Sequence, residues 1–162
     1  MRTEKLYLRI QYTKAFHNDM ITRAINNCMN NARGKHWEKV YWAFDIHGTI
    51  LKPTFQSGVL STEFYPYAEE AMRYITQQKD VVRILYTCSY PHEIVDYLKF
   101  FEQRGIHFDY VNENPDVCAG AYGHYDRKFY FNVLFEDKAG FDPNSDWEKV
   151  LELVKSVNTL KV

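Results

Sequence analysis

The stretch KVYWAFDIHGTI, residues 39–50, decides the fold that we predict for this chain of 162 residues. Its run from Lys39 to Phe44 is almost continuously apolar, which is typical of a strand buried in a parallel sheet. The run stops at Asp45, and Gly48 follows where the backbone has to turn tightly. We therefore predict a buried strand over residues 39–44 with a carboxylate at its carboxyl end.

Similar apolar runs and amphipathic segments alternate through the rest of the chain. Further buried strands are predicted at Val81–Tyr86 and Phe129–Phe135, with a short strand at Ile106–Val111. Helices are predicted over residues 18–33, 66–79 with Pro66 first, 91–104, and from a capping box at Ser145 and Glu148 onwards. Strands that alternate with helices predict an α/β fold, here a Rossmann-like three-layer sandwich around a mainly parallel sheet.

The chain is predicted to fold as one domain over residues 1–162. Residues 5–12 alternate between apolar and polar side chains, as a half-exposed strand does. Residues 1–38 are therefore predicted to add a strand and a helix to a core at 39–155. The apolar face of the helix at 91–104 is predicted from four residues: Ile94, Val95, Leu98 and Phe101.

Composition limits the class of partner. Hydrophobic residues make up 46% of the chain, charged residues 25%, and the formal net charge is -1. This balance predicts no general attraction to nucleic acid or to an anionic membrane, and nucleic-acid contact through a local basic patch stays a minor option. No stretch approaches the roughly 20 apolar residues that span a bilayer, and the start lacks the apolar run of a signal peptide. Three scattered cysteines form no disulfide framework, which favours a reduced, cytoplasmic setting.

Polar side chains suited to chemistry follow three of the predicted strands. Asp45 ends the first strand, Thr87 follows the second, and Glu136 with Asp137 follows the last. Ligands of open parallel sheets bind beyond the carboxyl ends of the strands, so these side chains are predicted to meet at one edge. Taken singly, each of them is also what an ordinary turn contains.

The segment FDIHGTI, residues 44–50, resembles the signature of the haloacid dehalogenase (HAD) superfamily, in which a second aspartate stands two residues after the first and Gly-Thr follows. Asp45, Gly48 and Thr49 match that signature. The resemblance covers about residues 39–155 and is strongest to small members that lack a cap domain. Their further pattern is matched by five segments: RGIHFD at 104–109, VNEN at 111–114, Lys128, Glu136-Asp137 and Asp146-Trp147.

The resemblance implies a magnesium-dependent phosphatase, in which Asp45 attacks phosphorus and forms an aspartyl-phosphate. It implies that Thr87 and Lys128 hold the phosphoryl oxygens, with Lys138 as a competitor for the role of the family's lysine. Three further residues are expected to contact the same phosphate: Gly48, Thr49 and Cys88.

The same resemblance implies a Mg²⁺ site beside the phosphate. Asp45, Asp137 and the backbone carbonyl of His47 are the expected ligands, because Mg²⁺ prefers hard oxygen donors and keeps several waters. Glu136 replaces the first aspartate of the pair that the family often has here, and Glu136 or Asp142 is expected to assist Asp137.

His47 stands where family phosphatases have the second aspartate, which acts as general acid to the leaving group and then as base for water. An imidazole titrates near neutral pH and can take up that role. A nearby Mg²⁺ disfavours the cationic form, however, so a neutral His47 is a better base than acid. Three outcomes stay open: slowed hydrolysis, a persistent phosphoenzyme that favours phosphotransfer, or an impaired module that only binds phosphate.

No cap domain is predicted over the site, because the two gaps where caps are usually inserted, 52–64 and 112–127, are short or irregular. An open site suits a phosphorylated macromolecule as well as a small phosphorylated molecule, or a site closed by a second subunit of a homo-oligomer. A structural protein that pairs through residues 1–38 is a further hypothesis. Five tyrosines are candidates for the rim, although half-buried packing is the expected role of each: Tyr65, Tyr67, Tyr90, Tyr122 and Tyr125.

Overall fold

The computed structural model describes residues 19–54, 56, 58–125 and 127–156. The elements in these ranges are α1 (Met20–Gly34), β1 (Val40–Phe44), α2 (Ala68–Thr76), β2 (Val81–Leu85), α3 (Pro91–Gln103), β3 (Tyr110–Val111), β4 (Val133–Phe135) and α4 (Asp146–Ser156). A 3₁₀ turn, Asp137–Ala139, follows β4. The strand predicted at residues 5–12 lies outside the described residues, as do Asn18 and Val157 at the ends of two predicted helices.

The strands form one parallel sheet in the order β3-β2-β1-β4. Phe44, the last residue of β1, is level with Leu85 at the end of β2 and with Phe135 at the end of β4. The predicted α/β fold is confirmed: a four-stranded parallel sheet is flanked by helices in a Rossmann-like arrangement. Because the strands run in one direction, their carboxyl ends share one edge. The polar residues predicted to form the site follow strands that end at this edge.

The two faces of the sheet are packed very differently. Val40, Trp42 and Phe44 point to one face and belong to a large apolar cluster with residues of all the helices just named. A ladder of rings binds this cluster to the last helix, because Phe135 stacks on Phe44 at 4.5 Å and on Trp147 at 5.8 Å between ring centroids. The opposite face has a small cluster of three buried residues with partly buried rings around it: Ala43, Val82 and Ile84.

A buried arginine ties β2 to the helix before it. Arg83 lies within the strand and is 7% exposed, and its guanidinium bonds the Asp109 carboxylate at 2.7 and 2.9 Å. The same guanidinium donates to three carbonyls at the carboxyl end of α2, those of Ile75, Thr76 and Gln78. The last carbonyls of a helix have no partner within it, so Arg83 closes the helix as well as pairing its own charge.

Two predicted strands are shorter than expected, and side chains explain both differences. We predicted strands at Ile106–Val111 and Phe129–Phe135, but backbone pairing begins only at Tyr110 and Val133. The Arg83 N–H donates to the Asp109 carboxylate at 2.7 Å, and the Tyr41 N–H donates to the Asn132 side chain at 2.8 Å. In each case a side chain takes a backbone donor of the neighbouring strand immediately before the ladder begins.

The predicted start of the second helix and the predicted buried face of the third helix were wrong. The second helix begins at Ala68 rather than Pro66, because Tyr67 has a φ of 63° and the Ala68 N–H closes a turn onto Tyr65. On α3, Val95 is 49% exposed while Tyr97 is 3% exposed, so Tyr97 belongs to the buried face.

The start of the last helix also differs from the predicted capping box. The Ser145 hydroxyl bonds the Asp142 carboxylate at 2.9 Å, and the Asp142 N–H donates to Asp146 at 2.9 Å. Within the described ranges, no helix is both long enough and apolar enough to cross a membrane.

Candidate active site

The backbone ladder of the sheet continues past the strand ends and fixes the position of Asp45. Its N–H donates to the Phe135 carbonyl at 3.0 Å, and the Tyr86 N–H donates to the Phe44 carbonyl at 2.7 Å. Asp45 is therefore held between the ends of β2 and β4, where side chains from both neighbours can reach it.

Three carboxylates converge at this edge as the sequence predicted. Asp45, Glu136 and Asp137 each offer an oxygen, and these oxygens lie within 4.8 Å of one another. Burial raises the pKa of Asp45 to about 6, and the charges of Glu136 and Asp137 act in the same direction. Lys138 and a hydrogen bond from the Ile46 N–H oppose that rise. The ionised form of Asp45 is thus destabilised in the folded chain, and a bound cation would stabilise it.

Gly48 and Thr49 lock the loop after β1 against the loop after β4. Gly48 has a φ of +79°, and a Cβ on it would stand 2.9 Å from Oδ2 of Asp137. The fully buried Thr49 hydroxyl accepts the Asp137 N–H at 3.1 Å and lies 3.5 Å from the Asp45 carboxylate. The Trp147 indole N–H donates to the Thr49 carbonyl at 2.8 Å. These two residues therefore set the spacing of the carboxylates rather than presenting free groups to a ligand.

Lys138 is the cation that contacts the acidic group. Its ammonium lies 3.3 Å from Asp137 and 3.5 Å from Glu136, and the hydrogen bond to Asp137 raises the pKa of Lys138. Burial acts to raise the pKa of Asp137, but hydrogen bonds with Glu136 and Lys138 outweigh it and hold that pKa below its usual value. Lys138, which we had ranked behind Lys128, is thus the lysine at the carboxylates.

His47 is held by a tyrosine that the sequence analysis missed. Nε2 of His47 lies 2.6 Å from the Tyr97 hydroxyl, which also accepts the Ser61 N–H at 3.1 Å. Burial lowers the pKa of His47, so the neutral imidazole is favoured near pH 7. Nδ1 is therefore the ring nitrogen that remains for proton transfer. No hydrogen bond in the described part of the chain uses the His47 carbonyl oxygen. The helical spacing of Ile94, Tyr97 and Phe101 was the signal for Tyr97.

Thr87 is 9% exposed and is clamped by an asparagine of the VNEN segment. The Thr87 N–H donates to the Asn112 side chain at 2.8 Å, and that side chain donates back to the Thr87 carbonyl at 2.7 Å. The Thr87 N–H is therefore engaged in this clamp, and the Thr87 hydroxyl accepts the Ser89 N–H at 3.1 Å. The hydroxyl bonds Ser89 at 3.0 Å. Cys88 between them is exposed.

Lys128 lines a cavity that it shares with Thr87. Both residues line an open groove of about 810 Å³. Among the residues that the structure describes, Lys128 forms no hydrogen bond or ion pair, so its ammonium is available to a ligand. Asp142, predicted to assist the metal, instead accepts bonds from Ser145 and the Asn144 N–H at the start of α4.

Comparison with known proteins supports the fold and leaves the activity open. No model of a protein family matches the sequence, and no curated protein matches it. Among solved structures, a conserved protein from Bacteroides thetaiotaomicron is similar over 72% of this chain and 90% of its own, with a TM-score of 0.55 and 22% sequence identity. At that identity the likeness concerns the arrangement of helices and strands alone.

Proposed function

We propose that this chain is a magnesium-dependent phosphohydrolase that resembles the HAD superfamily and hydrolyses phosphate monoesters through an aspartyl-phosphate on Asp45. One observation carries the proposal: the Asp45, Glu136 and Asp137 carboxylates meet at the carboxyl edge of a parallel sheet, with Gly48 packed directly against Asp137. The pKa of Asp45 is also raised, and carboxylates with perturbed pKa values cluster at functional sites.

The donor set suits Mg²⁺. Asp45, Glu136 and Asp137 offer hard carboxylate oxygens within 4.8 Å of one another, the donor type that Mg²⁺ prefers. Asp45, Asp137 and the carbonyl of His47 would hold the ion, with Glu136 assisting. A bound Mg²⁺ would supply positive charge that neutralises the phosphate and keeps Asp45 ionised. The ammonium of Lys138 stands against the same carboxylates and has to move aside.

In the proposed reaction, an oxygen of Asp45 attacks phosphorus, the bond to the leaving oxygen breaks, and water later releases inorganic phosphate from Asp45. The Thr87 hydroxyl and the Lys128 ammonium bind the phosphoryl oxygens. Thr49 and Gly48 hold Asp45 and Asp137 at the right separation through the contacts described above. Nδ1 of His47 is the atom that remains for proton transfer.

The anchoring of His47 favours a second candidate, a phosphotransferase or a phosphate-binding module. Tyr97 occupies one ring nitrogen of His47, and burial favours the neutral imidazole. His47 is therefore a poor proton donor to the leaving group. Loss of general acid–base catalysis costs roughly 10²–10⁴-fold, which slows hydrolysis without removing it. The phosphorylated substrate is a small molecule or a macromolecule, and a homo-oligomer in the cytoplasm is compatible with this proposal.

The test is turnover of p-nitrophenyl phosphate with and without Mg²⁺ by the wild type, Asp45→Asn and His47→Asp. We expect Mg²⁺-dependent turnover by the wild type, none by Asp45→Asn, and faster turnover by His47→Asp because a carboxyl group restores the acid. Absence of turnover in all three, with phosphate still bound, would reject the hydrolase in favour of the binding module.

A further inference from the structure

The groove that Thr87 and Lys128 line has aromatic walls. Tyr86 and Phe131 are 41% and 37% exposed, and both line the cavity of about 810 Å³. Phe129 lies between them, with its ring centroid 5.9 Å from Tyr86 and 5.8 Å from Phe131, both edge-on. The three rings support one another, so the two outer rings are held in place rather than free to turn.

Two basic side chains line the groove. Among the described residues that line it, Arg127 and Lys128 stand against one acidic residue, Glu113. Among the described residues, neither basic side chain has a hydrogen bond or an ion pair, and both are exposed. An anion with an aromatic part therefore finds both of its preferred contacts here.

The groove is continuous with the proposed phosphate site. Thr87, whose hydroxyl is proposed to hold phosphate, lines it, and Tyr86 next to it bonds the end of β1 through its backbone. A phosphate held by Thr87 and Lys128 would therefore leave its alcohol part within this groove, near Tyr86. The volume exceeds what a single phenyl ring needs, and two separate rings with two cations suit a base joined to a sugar phosphate.

We propose that this groove binds the base of a nucleotide, so that nucleoside monophosphates are the substrate class; this inference rests on the proposed phosphohydrolase function. The base stacks on Tyr86 or Phe131, and Arg127 or Lys128 contacts the sugar phosphate. Stacking on aromatic side chains tolerates every base, so the groove selects nucleotides over plain sugar phosphates rather than one base over another. The net charge of -1 makes a free nucleotide a better match than a long polyanion.

The test measures binding in the full-length Asp45→Asn variant, which holds substrate without turning it over. Titration calorimetry with Mg²⁺ compares AMP with ribose 5-phosphate, which lacks only the base. We expect AMP to bind about tenfold more tightly, the effect of one base–aromatic stack. Phe131→Leu keeps apolar bulk but removes the ring, and Tyr86→Leu does the same on the other side. In one or both, AMP is expected to weaken about tenfold while ribose 5-phosphate is unchanged.

Tyr122→Leu is the matched control. Tyr122 is 64% exposed and belongs to the same loop segment, but it lines a different cavity. Tyr122→Leu in the Asp45→Asn chain is expected to bind AMP as tightly as Asp45→Asn alone. Equal binding of AMP and ribose 5-phosphate, or O-phosphotyrosine binding as tightly as AMP, would overturn the nucleotide assignment while p-nitrophenyl phosphate turnover by the wild type still stood. Failure of both ligands to bind, together with no turnover, would reject the phosphohydrolase and this inference together.

Discussion

Two halves of the same sheet edge differ in how they are built. The acidic half, formed by the loops after β1 and β4, is cross-tied by buried contacts of Gly48, Thr49 and Trp147. The aromatic half, beyond β2, presents exposed rings and exposed basic side chains along an open groove. Chemistry at phosphorus depends on atomic spacing, whereas recognition of a planar group tolerates movement. The difference teaches that the tightest contacts lie where we propose that atoms react.

The largest expected effect comes from breaking the acidic half at Gly48. Gly48→Ala places a Cβ 2.9 Å from the Asp137 carboxylate and strains a φ of +79°. Turnover of p-nitrophenyl phosphate is expected to fall at least about 10³-fold, because Asp45 and Asp137 are both displaced. Backbone strain alone should lower the free energy of unfolding by about 1–3 kcal/mol.

Gly58→Ala is the control for that strain. Gly58 has a φ of +74°, but no non-adjacent residue of the described ranges lies within 4 Å of an added Cβ. It is expected to lose stability without losing turnover. Equal losses of turnover in the two variants would show that the contact between Gly48 and Asp137 has no part in catalysis.

Substitution of one lysine in each half gives the next largest effects and tests the two halves separately. Lys128→Met should lower kcat/KM by roughly 10²–10³-fold, because one cation that stabilises the phosphate is lost. Lys138→Met should instead strengthen Mg²⁺ binding about two- to fivefold, since an exposed ammonium no longer competes for Asp137 and Glu136. Steady-state kinetics and Mg²⁺ titration measure these effects, and an exchange of the two phenotypes would assign the phosphate to Lys138.

Thr49 tests the cross-tie without changing any charge. Thr49→Val has nearly the same shape but removes the fully buried hydroxyl that accepts the Asp137 N–H. The free energy of unfolding in urea is expected to fall by about 2 kcal/mol. Thr62→Val, at an exposed position, is expected to change it little. Matching values for the two variants would mean that water replaces the Thr49 hydroxyl.

The smallest effect is the stability cost of Asp45 itself. Its pKa is raised to about 6 in the folded chain, so folding favours the protonated acid. The cost of ionising it grows as pH rises from about 4 to about 6 and stays constant above that. Without Mg²⁺, Asp45→Asn should be more stable at pH 7.5 by about 1 kcal/mol after allowance for solvent screening. Thermal unfolding should show the advantage vanish below pH 4, and a constant difference across pH would contradict the raised pKa.

The strands and most helix positions could be predicted because their signals are local. The apolar run of residues 39–44 and the stripe of the helix at 18–33 report burial directly, and α1 and β1 lie where they were expected. Strand ends were less predictable, because Asn132 and Asp109 replace ladder bonds through side chains from distant parts of the sequence. The order of the strand-end residues predicted which carboxylates meet.

By itself, the sequence determined a parallel α/β fold and an edge at which Asp45, Glu136 and Asp137 converge. Apolar periodicity and strand direction are properties of short segments, so they can be seen without the fold. Only the tertiary structure decided that Lys138 contacts the carboxylates, that Tyr97 holds His47, that Asn112 occupies the Thr87 N–H, and that exposed rings line one groove. Each of these depends on the direction of a side chain across space, which packing of remote segments sets and local sequence does not encode.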